Sequence, residues 1–177
     1  MLIERFVSRL TGKHPDHRAL QLIPLDRHER GAAVTYRTFA EQHDAERSGG
    51  ETLAVVLAVT GSWRTQPGYA VDGEWRVDPN SAALFEVSRH ELFRLRRAIL
   101  PSFAIDWLLR DVVDPTRYLI LGLYGERHDL ELCRDHPEIA RFVSEHPAAL
   151  YGAVPMTPLR FYGRHRPQSF SLPDPLR

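Results

Sequence analysis

The chain has 177 residues, of which 43% are hydrophobic and 26% are charged, and these values are ordinary for a globular protein. Its 23 basic and 23 acidic side chains cancel, which excludes a net charge that would draw the whole molecule to nucleic acid or to a membrane surface. The one cysteine excludes an intramolecular disulfide, and no apolar run approaches the roughly 20 residues of a membrane-spanning helix. We therefore predict a cytoplasmic protein that makes no membrane contact.

The N-terminal part of the chain predicts one helix followed by two strands. Residues 2–10 place apolar side chains at helical spacing, so we expect a short amphipathic helix there. Residues 19–25 favour a strand at a sheet edge, because Pro24 has no N–H group to give to a ladder. Residues 33–39 alternate like a returning strand, although a helix over residues 35–43 also fits the pattern.

The middle of the chain contains its clearest element. Residues 52–59 are nearly all apolar, which predicts a central strand covered on both faces. Within residues 69–77, an Asp-Gly pair separates two short alternating runs and predicts a hairpin turn. A long helix is predicted over residues 81–100, because Ser81 is a good N-cap and Pro101 prevents its continuation.

The second half of the chain predicts three further helices and one strand. Residues 102–113 are apolar nearly all round, which predicts a helix buried on more than one side. Residues 118–124 predict a second buried strand, and residues 129–135 and 137–146 predict two short helices. Together the elements indicate an α+β domain with a mainly antiparallel sheet of five or six strands and helices packed on one face.

Proline and arginine become frequent from residue 155 onward. Such a composition is typical of an extended segment rather than of a packed element. We therefore predict a single domain over residues 1–154, followed by an extended Pro/Arg-rich C-terminal tail over residues 155–177.

The long helix is predicted to have two different faces. Phe85, Leu92 and Ile99 form an apolar stripe for the core. The opposite face is predicted to carry a basic and aromatic set that consists of Arg89, His90, Phe93, Arg96 and Arg97. A similar set in the tail consists of Arg160, Phe161, Tyr162 and Arg164. Because arginine and aromatic side chains anchor many interfaces, these surfaces predict a non-catalytic accessory or regulatory protein that binds another protein.

Two other functions are compatible with the sequence. One is nucleic-acid binding through the same arginine-bearing surfaces. The other is a small His- or metal-dependent hydrolase or nuclease. The candidate ligands for Zn²⁺ are His14, His17, His28, Cys133 and His136. No other cofactor is predicted, because the chain contains no Gly-rich nucleotide loop and no GxSxG, HExxH or CxxC motif.

An anion-binding pattern follows the second buried strand. Two glycines stand between that strand and the start of a helix, and in such an arrangement backbone N–H groups can hold an anion. The candidate residues are Gly122, Gly125, Arg127 and His128.

Overall fold

The computed structural model describes the backbone of residues 2–9, 19–24, 32–39, 51–61 and 67–164, and the side chains of these ranges from residue 51 to residue 163. The described residues form nine strands, which are β1 Leu2–Arg9, β2 Ala19–Pro24, β3 Ala32–Phe39, β4 Glu51–Thr60, β5 Tyr69–Val77, β6 Phe103–Asp111, β7 Arg117–Tyr124, β8 Ala153–Pro155 and β9 Arg160–Arg164. They also form three α-helices, α1 Ala82–Ile99, α2 Arg127–Asp135 and α3 Pro137–Glu145, and two 3₁₀ turns, Pro79–Ser81 and Ala148–Tyr151.

The described strands pair into one antiparallel sheet in the order β7-β6-β4-β1-β3-β2-β9-β5-β8. Strand β5 also pairs with β7 over residues 69–76, so the first eight strands of this order close into a ring. The helices lie on one face of the sheet, where α1 contacts β4 and β6, and α2 contacts β5 and β7. The predicted α+β class with an antiparallel sheet and helices on one face is confirmed, and the sheet has more strands than expected.

Side chains alternate between the two faces of a strand, and the closed sheet therefore has an inner and an outer apolar core. Among the side chains that the structure describes, the members of the inner core all lie on strands and include Leu53, Ala70, Trp107, Leu109, Leu121 and Tyr162. The outer core joins the sheet to the helices, and its members include Leu108, Tyr118, Ile120, Phe85, Phe93 and Leu130. Strands β6 and β7 contribute to both cores, so they are buried on both faces.

Two predicted helices are strands. The helix predicted over residues 2–10 is wrong, because this segment forms β1 and pairs with β3 on one side and β4 on the other. The helix predicted over residues 102–113 is wrong for another reason, since this segment forms β6 and is buried on both faces. A short run that is apolar throughout looks the same in a buried strand and in a buried helix. In both segments, pairing with neighbouring strands outweighs the local pattern.

The hairpin predicted within residues 69–77 is also wrong, because β5 continues through the Asp-Gly pair without a turn. Asp72 pairs with Leu121 and Gly73 pairs with Ile120 in the ladder that closes the ring. The edge position predicted for β2 is wrong as well. This strand pairs with both β3 and β9, and Pro24 is its last residue.

The other predicted elements are confirmed. Strand β3 is the strand alternative for residues 33–39, and β4 and β7 are the two apolar strands. Helices α1, α2 and α3 fall within one or two residues of their predicted ranges. None of the described helices combines the length and the hydrophobicity needed to cross a bilayer.

The segment predicted as a tail contributes to the sheet. Residues 160–164 form β9, which pairs with β2 on one side and with β5 on the other. The described part of residues 155–177 therefore belongs to the same sheet as the strands that precede it. Residues 165–177 lie outside the described residues.

Helix α1 buries the face that was predicted to meet a partner. Phe93 is 0% exposed, and Arg89 and Arg96 are 4% and 6% exposed. At 100° per residue, Phe93 lies only about 80° from Phe85 around the helix, so both rings belong to the stripe that faces the sheet. The predicted basic and aromatic surface on this helix is therefore wrong.

We expect Phe93→Ala to lower the free energy of unfolding by about 3–5 kcal/mol, because it leaves a cavity beneath α1. Leu84→Ala is the matched control, since Leu84 is on the same helix and 60% exposed, and it should change stability by about 0.5 kcal/mol or less. Urea unfolding followed by circular dichroism measures both values. Equal effects of the two substitutions would contradict the burial of Phe93.

Candidate functional site

Four polar side chains form a buried chain of contacts between α1, α2 and the sheet. Arg96 of α1 donates from Nη1 to Oδ2 of Asp106 on β6 at 3.2 Å. The hydroxyl group of Tyr124 on β7 donates to Oδ1 of Asp106, also at 3.2 Å, and lies 3.3 Å from Sγ of Cys133 on α2. Because the phenol gives its one proton to Asp106, the thiol is the donor to Tyr124. We name these four residues the polar chain, and each is at most 6% exposed.

The register of β6 and β7 places the members of the polar chain side by side. Asp106 pairs with Gly122, and Tyr124 lies two residues further along β7 on the same face. A Cβ atom on Gly122 would overlap Oδ1 of Asp106 and would lie 2.7 Å from the Tyr124 hydroxyl oxygen. Glycine is therefore required at this position because the carboxylate and the phenol occupy the space next to it.

Burial sets the protonation of the polar chain. It raises the pKa of Tyr124 and the pKa of Cys133, so both side chains keep their protons at neutral pH. Burial also raises the pKa of Asp106, while the neighbouring Arg96 guanidinium acts in the opposite direction. Clusters of buried groups with shifted pKa values are typical of functional sites, and this cluster is the clearest one in the described residues.

A second buried guanidinium, that of Arg89, lies two helical turns before Arg96 on the same face of α1. Its Nη2 donates to Oγ of Ser88 at 3.0 Å, and its Cζ lies 5.3 Å from the ring centroid of Phe85. Its Nε is buried without a hydrogen-bond partner. Burial and the nearby charge of Arg96 lower the pKa of Arg89 to about 10, so the group is still charged at pH 7.

The layer between the sheet and the helices is rich in aromatic rings. The ring centroid of Phe85 lies 5.5 Å from that of Tyr118 and 6.3 Å from that of Trp75. The centroids of Phe103 and Tyr124 are 6.0 Å apart. The layer therefore combines flat apolar surfaces with two buried cationic side chains.

A second charged cluster, the inner network, lies on the inner face of the closed sheet. Arg160 of β9 donates to Asp72 at 2.7 Å and to Glu74 at 2.8 Å. Arg117 of β7 donates to the other carboxylate oxygen of Glu74 at 2.8 Å, and Tyr162 donates to Asp72 at 3.1 Å. These bonds join β5, β7 and β9, so the inner network stabilises the closure of the ring.

The residues predicted to bind a partner do not form one surface. The exposed members are His90 and Arg97. The buried members are Arg89, Phe93, Arg96 and Tyr162, and the partly buried members are Arg160 and Phe161. The side chain of Arg164 lies outside the described residues. The fold thus directs most of this set toward the two cores.

The predicted anion-binding set does not form either. Gly122 lies inside the ladder of β7, and the N–H group of Gly125 donates to a backbone carbonyl group at 2.9 Å. Arg127 pairs with Glu131 at 3.2 Å, and His128 is exposed. The backbone N–H group of Gly125 is therefore already hydrogen-bonded, and that of Gly122 lies within the sheet.

Within the described residues, no group of three or more His, Cys, Asp or Glu side chains is placed to hold a metal ion. Cys133 belongs to the polar chain, and Nδ1 of His136 accepts the backbone N–H of Glu138 at 3.3 Å as the N-cap of α3. The remaining zinc candidates, which lie outside the described residues, are His14, His17 and His28. Zinc binding by those histidines stays a prediction.

Asp106 and Tyr124 are not among the site residues predicted from the sequence. A signal was present for Asp106, which interrupts an apolar run, because a charged residue is buried only when it finds a partner. Its link to Arg96 carries no sequence signal, since the two residues meet only when α1 packs on β6.

Comparison with known proteins finds the fold but no family. No protein-family model matches the chain, and no curated protein matches it. A solved structure described as a major regulator of staphylococcal pathogenesis aligns with a TM-score of 0.64 and 11% identity, over 94% of this chain and 100% of that one.

Two further solved structures cover the chain almost completely. A ferredoxin-fold protein from Listeria monocytogenes, related to antibiotic biosynthesis monooxygenases, aligns with a TM-score of 0.61 and 12% identity, over 93% of this chain and 95% of its own. An anthrone oxidase-like protein aligns with a TM-score of 0.62 and 11% identity, over 95% and 92%. At these identities the likeness shows a ferredoxin-like fold.

The predicted function as a non-catalytic partner-binding protein is wrong. The burial of Arg89, Phe93 and Arg96 removes the surface on which it rested, and it removes the same arginines from a nucleic-acid footprint. Structures that share the fold include a protein related to antibiotic biosynthesis monooxygenases and an anthrone oxidase-like protein.

We expect Gly122→Ala to lower the free energy of unfolding by about 1–3 kcal/mol, because the added methyl group displaces the Asp106 carboxylate. Gly73→Ala is the matched control in β5, since its methyl group meets the end of the flexible, 42% exposed Leu159 side chain. Gly73→Ala should lower the free energy of unfolding by less than Gly122→Ala does. Chemical unfolding of both variants at pH 7 tests the difference, and a larger loss for Gly73→Ala would count against the described packing.

We expect stability to fall as the pH rises from about 8.5 to 10, in part because of Cys133. The folded state keeps the thiol proton, whereas the unfolded chain loses it above its ordinary pKa of about 8.5. The folded state then binds more protons, so a rising pH favours unfolding by up to about 1.4 kcal/mol per pH unit. Cys133→Ala should flatten the measured slope, and an unchanged slope would show that the thiol is not protected.

Proposed function

We propose that the side chains packed between α1 and the sheet move apart to admit a planar aromatic small molecule beside the polar chain, and that the protein acts on it as a monooxygenase-like enzyme. The observation that carries the proposal is the polar chain, in which a carboxylate, a phenol and a thiol lie buried beside a guanidinium. Burying such groups opposes folding unless they are well paired, so their concentration in one place favours a chemical role.

The surroundings of the polar chain support an aromatic ligand. Phe85 and Trp75 provide flat apolar faces in the same layer. The shared fold with a protein related to antibiotic biosynthesis monooxygenases and with an anthrone oxidase-like protein supports an oxidation as the reaction. An anthrone has a CH₂ group between two aromatic rings, and it is a concrete probe for this chemistry.

The proposed reaction converts that CH₂ group and O₂ into a carbonyl group and water. Two C–H bonds break, one oxygen atom forms the C=O bond, and the other oxygen atom leaves with both hydrogens. The substrate supplies the electrons, so the balance needs no separate reductant. Tyr124 is placed to pass a proton from the substrate to Asp106, because its hydroxyl already donates to that carboxylate. The raised pKa of Asp106 favours the protonated form that results.

The test uses anthrone in air-saturated buffer, with anthraquinone formation followed by absorbance and O₂ uptake followed by an electrode. Tyr124→Phe should reduce kcat/KM at least about ten-fold, because it removes the proton relay. Tyr118→Phe is the matched control, since Tyr118 lies on the same strand and face but its hydroxyl donates to Glu86 at 2.8 Å, outside the polar chain. That variant should keep nearly the full rate.

Two results would count against the proposal. One is a wild-type protein that neither binds anthrone, by quenching of tryptophan fluorescence, nor accelerates its oxidation over buffer. The other is an equal loss of activity in Tyr118→Phe and Tyr124→Phe, which would place the chemistry elsewhere. The cytoplasmic location stays a prediction, and the free buried thiol of Cys133 supports it because thiols persist in a reducing compartment.

A further inference from the structure

Arg89 is a buried cation without a counterion in the described residues. Its polar contacts are the hydrogen bond to Ser88 and the approach to the Phe85 ring, and neither brings a negative charge. No carboxylate of the described residues lies within ion-pair distance of its guanidinium, and its Nε has no partner. The side chain is nevertheless only 4% exposed.

The two buried carboxylates of this layer already have other partners. Asp106 is the counterion of Arg96 and also accepts the Tyr124 hydroxyl. Asp129 accepts the backbone N–H of Ser102 through Oδ2. Arg89 therefore differs from Arg96, although both project from the same face of α1.

A buried guanidinium without an anion is unfavourable, and the fold retains it only if something else compensates. The lowered pKa of Arg89 is in agreement with this, because burial and the charge of Arg96 both disfavour its charged form. The planar guanidinium offers an Nε–H and an Nη–H side by side, which matches the two oxygen atoms of a carboxylate.

We infer that Arg89 is a ligand-binding residue that pairs with a carboxylate group of the small molecule. The inference rests on the proposed function for the position of the aromatic part of that molecule. Arg89 and Arg96 are seven residues apart on α1, or about 10 Å along the helix axis. Leu92 and Phe93, which are 2% and 0% exposed, pack against the sheet between the two arginines, so a ligand held by its carboxylate at Arg89 brings its rings to the polar chain by displacing them.

Two probes with the same ring system separate the charge from the rings. Anthracene-9-carboxylate is ionised at pH 7, and 9-anthracenemethanol is its uncharged counterpart. Titration of each probe, followed by anthracene fluorescence, gives two dissociation constants for every protein variant. We expect the wild-type protein to bind the carboxylate at least ten-fold more tightly than the alcohol.

The variants are Arg89→Met, Arg89→Lys and Arg97→Met. Arg89→Met should bind both probes equally, with the affinity for the alcohol unchanged, because it removes the charge and keeps an apolar stem of similar length. Arg89→Lys should retain part of the preference for the carboxylate. Arg97→Met is the control on the same helix, since Arg97 is exposed, and it should behave like the wild type.

The ligand-induced change in Tm is a second measurement, and it distinguishes a ligand-binding Arg89 from one with only a structural role. Anthracene-9-carboxylate should raise the Tm of the wild-type protein and of Arg97→Met more than 9-anthracenemethanol does. For Arg89→Met, the carboxylate should raise the Tm no more than the alcohol does. A wild-type protein that binds both probes equally, or an Arg89→Met variant that keeps the preference, would overturn the inference and leave the proposed function standing. Binding of neither probe by the wild type would overturn both.

Discussion

The pairing of β5 with β7 is the constraint on which the rest of the structure depends. It turns an open antiparallel sheet into a ring and so divides the interior into two separate cores, one inside the ring and one beneath the helices. Asp72 and Glu74 of β5 can be buried on the inner side because Arg117 and Arg160 reach them from the strands on either side. The polar chain lies on the other side of the same strands, so the two charged clusters are separated by the sheet itself.

Much of the secondary structure could be predicted because it is local. Helix α1 has an N-cap and a following proline, β4 and β7 are apolar runs, and α3 begins with a proline at its first position. The wrong predictions concern strands whose burial or pairing is determined by the closed sheet. Strand β6 is apolar on both faces because it separates two cores, and β1 is a strand because two neighbours pair with it. The sequence contains no local signal for either circumstance.

The candidate site was predictable only in its parts. The sequence pattern predicts Arg89 and Arg96 on the face of α1 opposite the apolar stripe, together with Phe93. At 100° per residue, Phe93 lies close to the buried stripe of α1. Arg89 and Arg96 lie on the same side of the helix and are buried with it. What no sequence pattern could give is the identity of the partner residues. Asp106 reaches Arg96 through tertiary packing, and no acidic residue reaches Arg89 within the described part of the chain.

Strand β9 has a consequence for how the chain folds. It fills the gap between β2 and β5, so the ring cannot close until segments from opposite ends of the chain have met. Contacts between such distant segments slow folding, because the entropy of a long loop is lost before the contacts form. During synthesis, the facing edges of β2 and β5 have no strand between them until residues 160–164 leave the ribosome. A chain released before that point would expose two unpaired edges, which are the surfaces through which sheets aggregate.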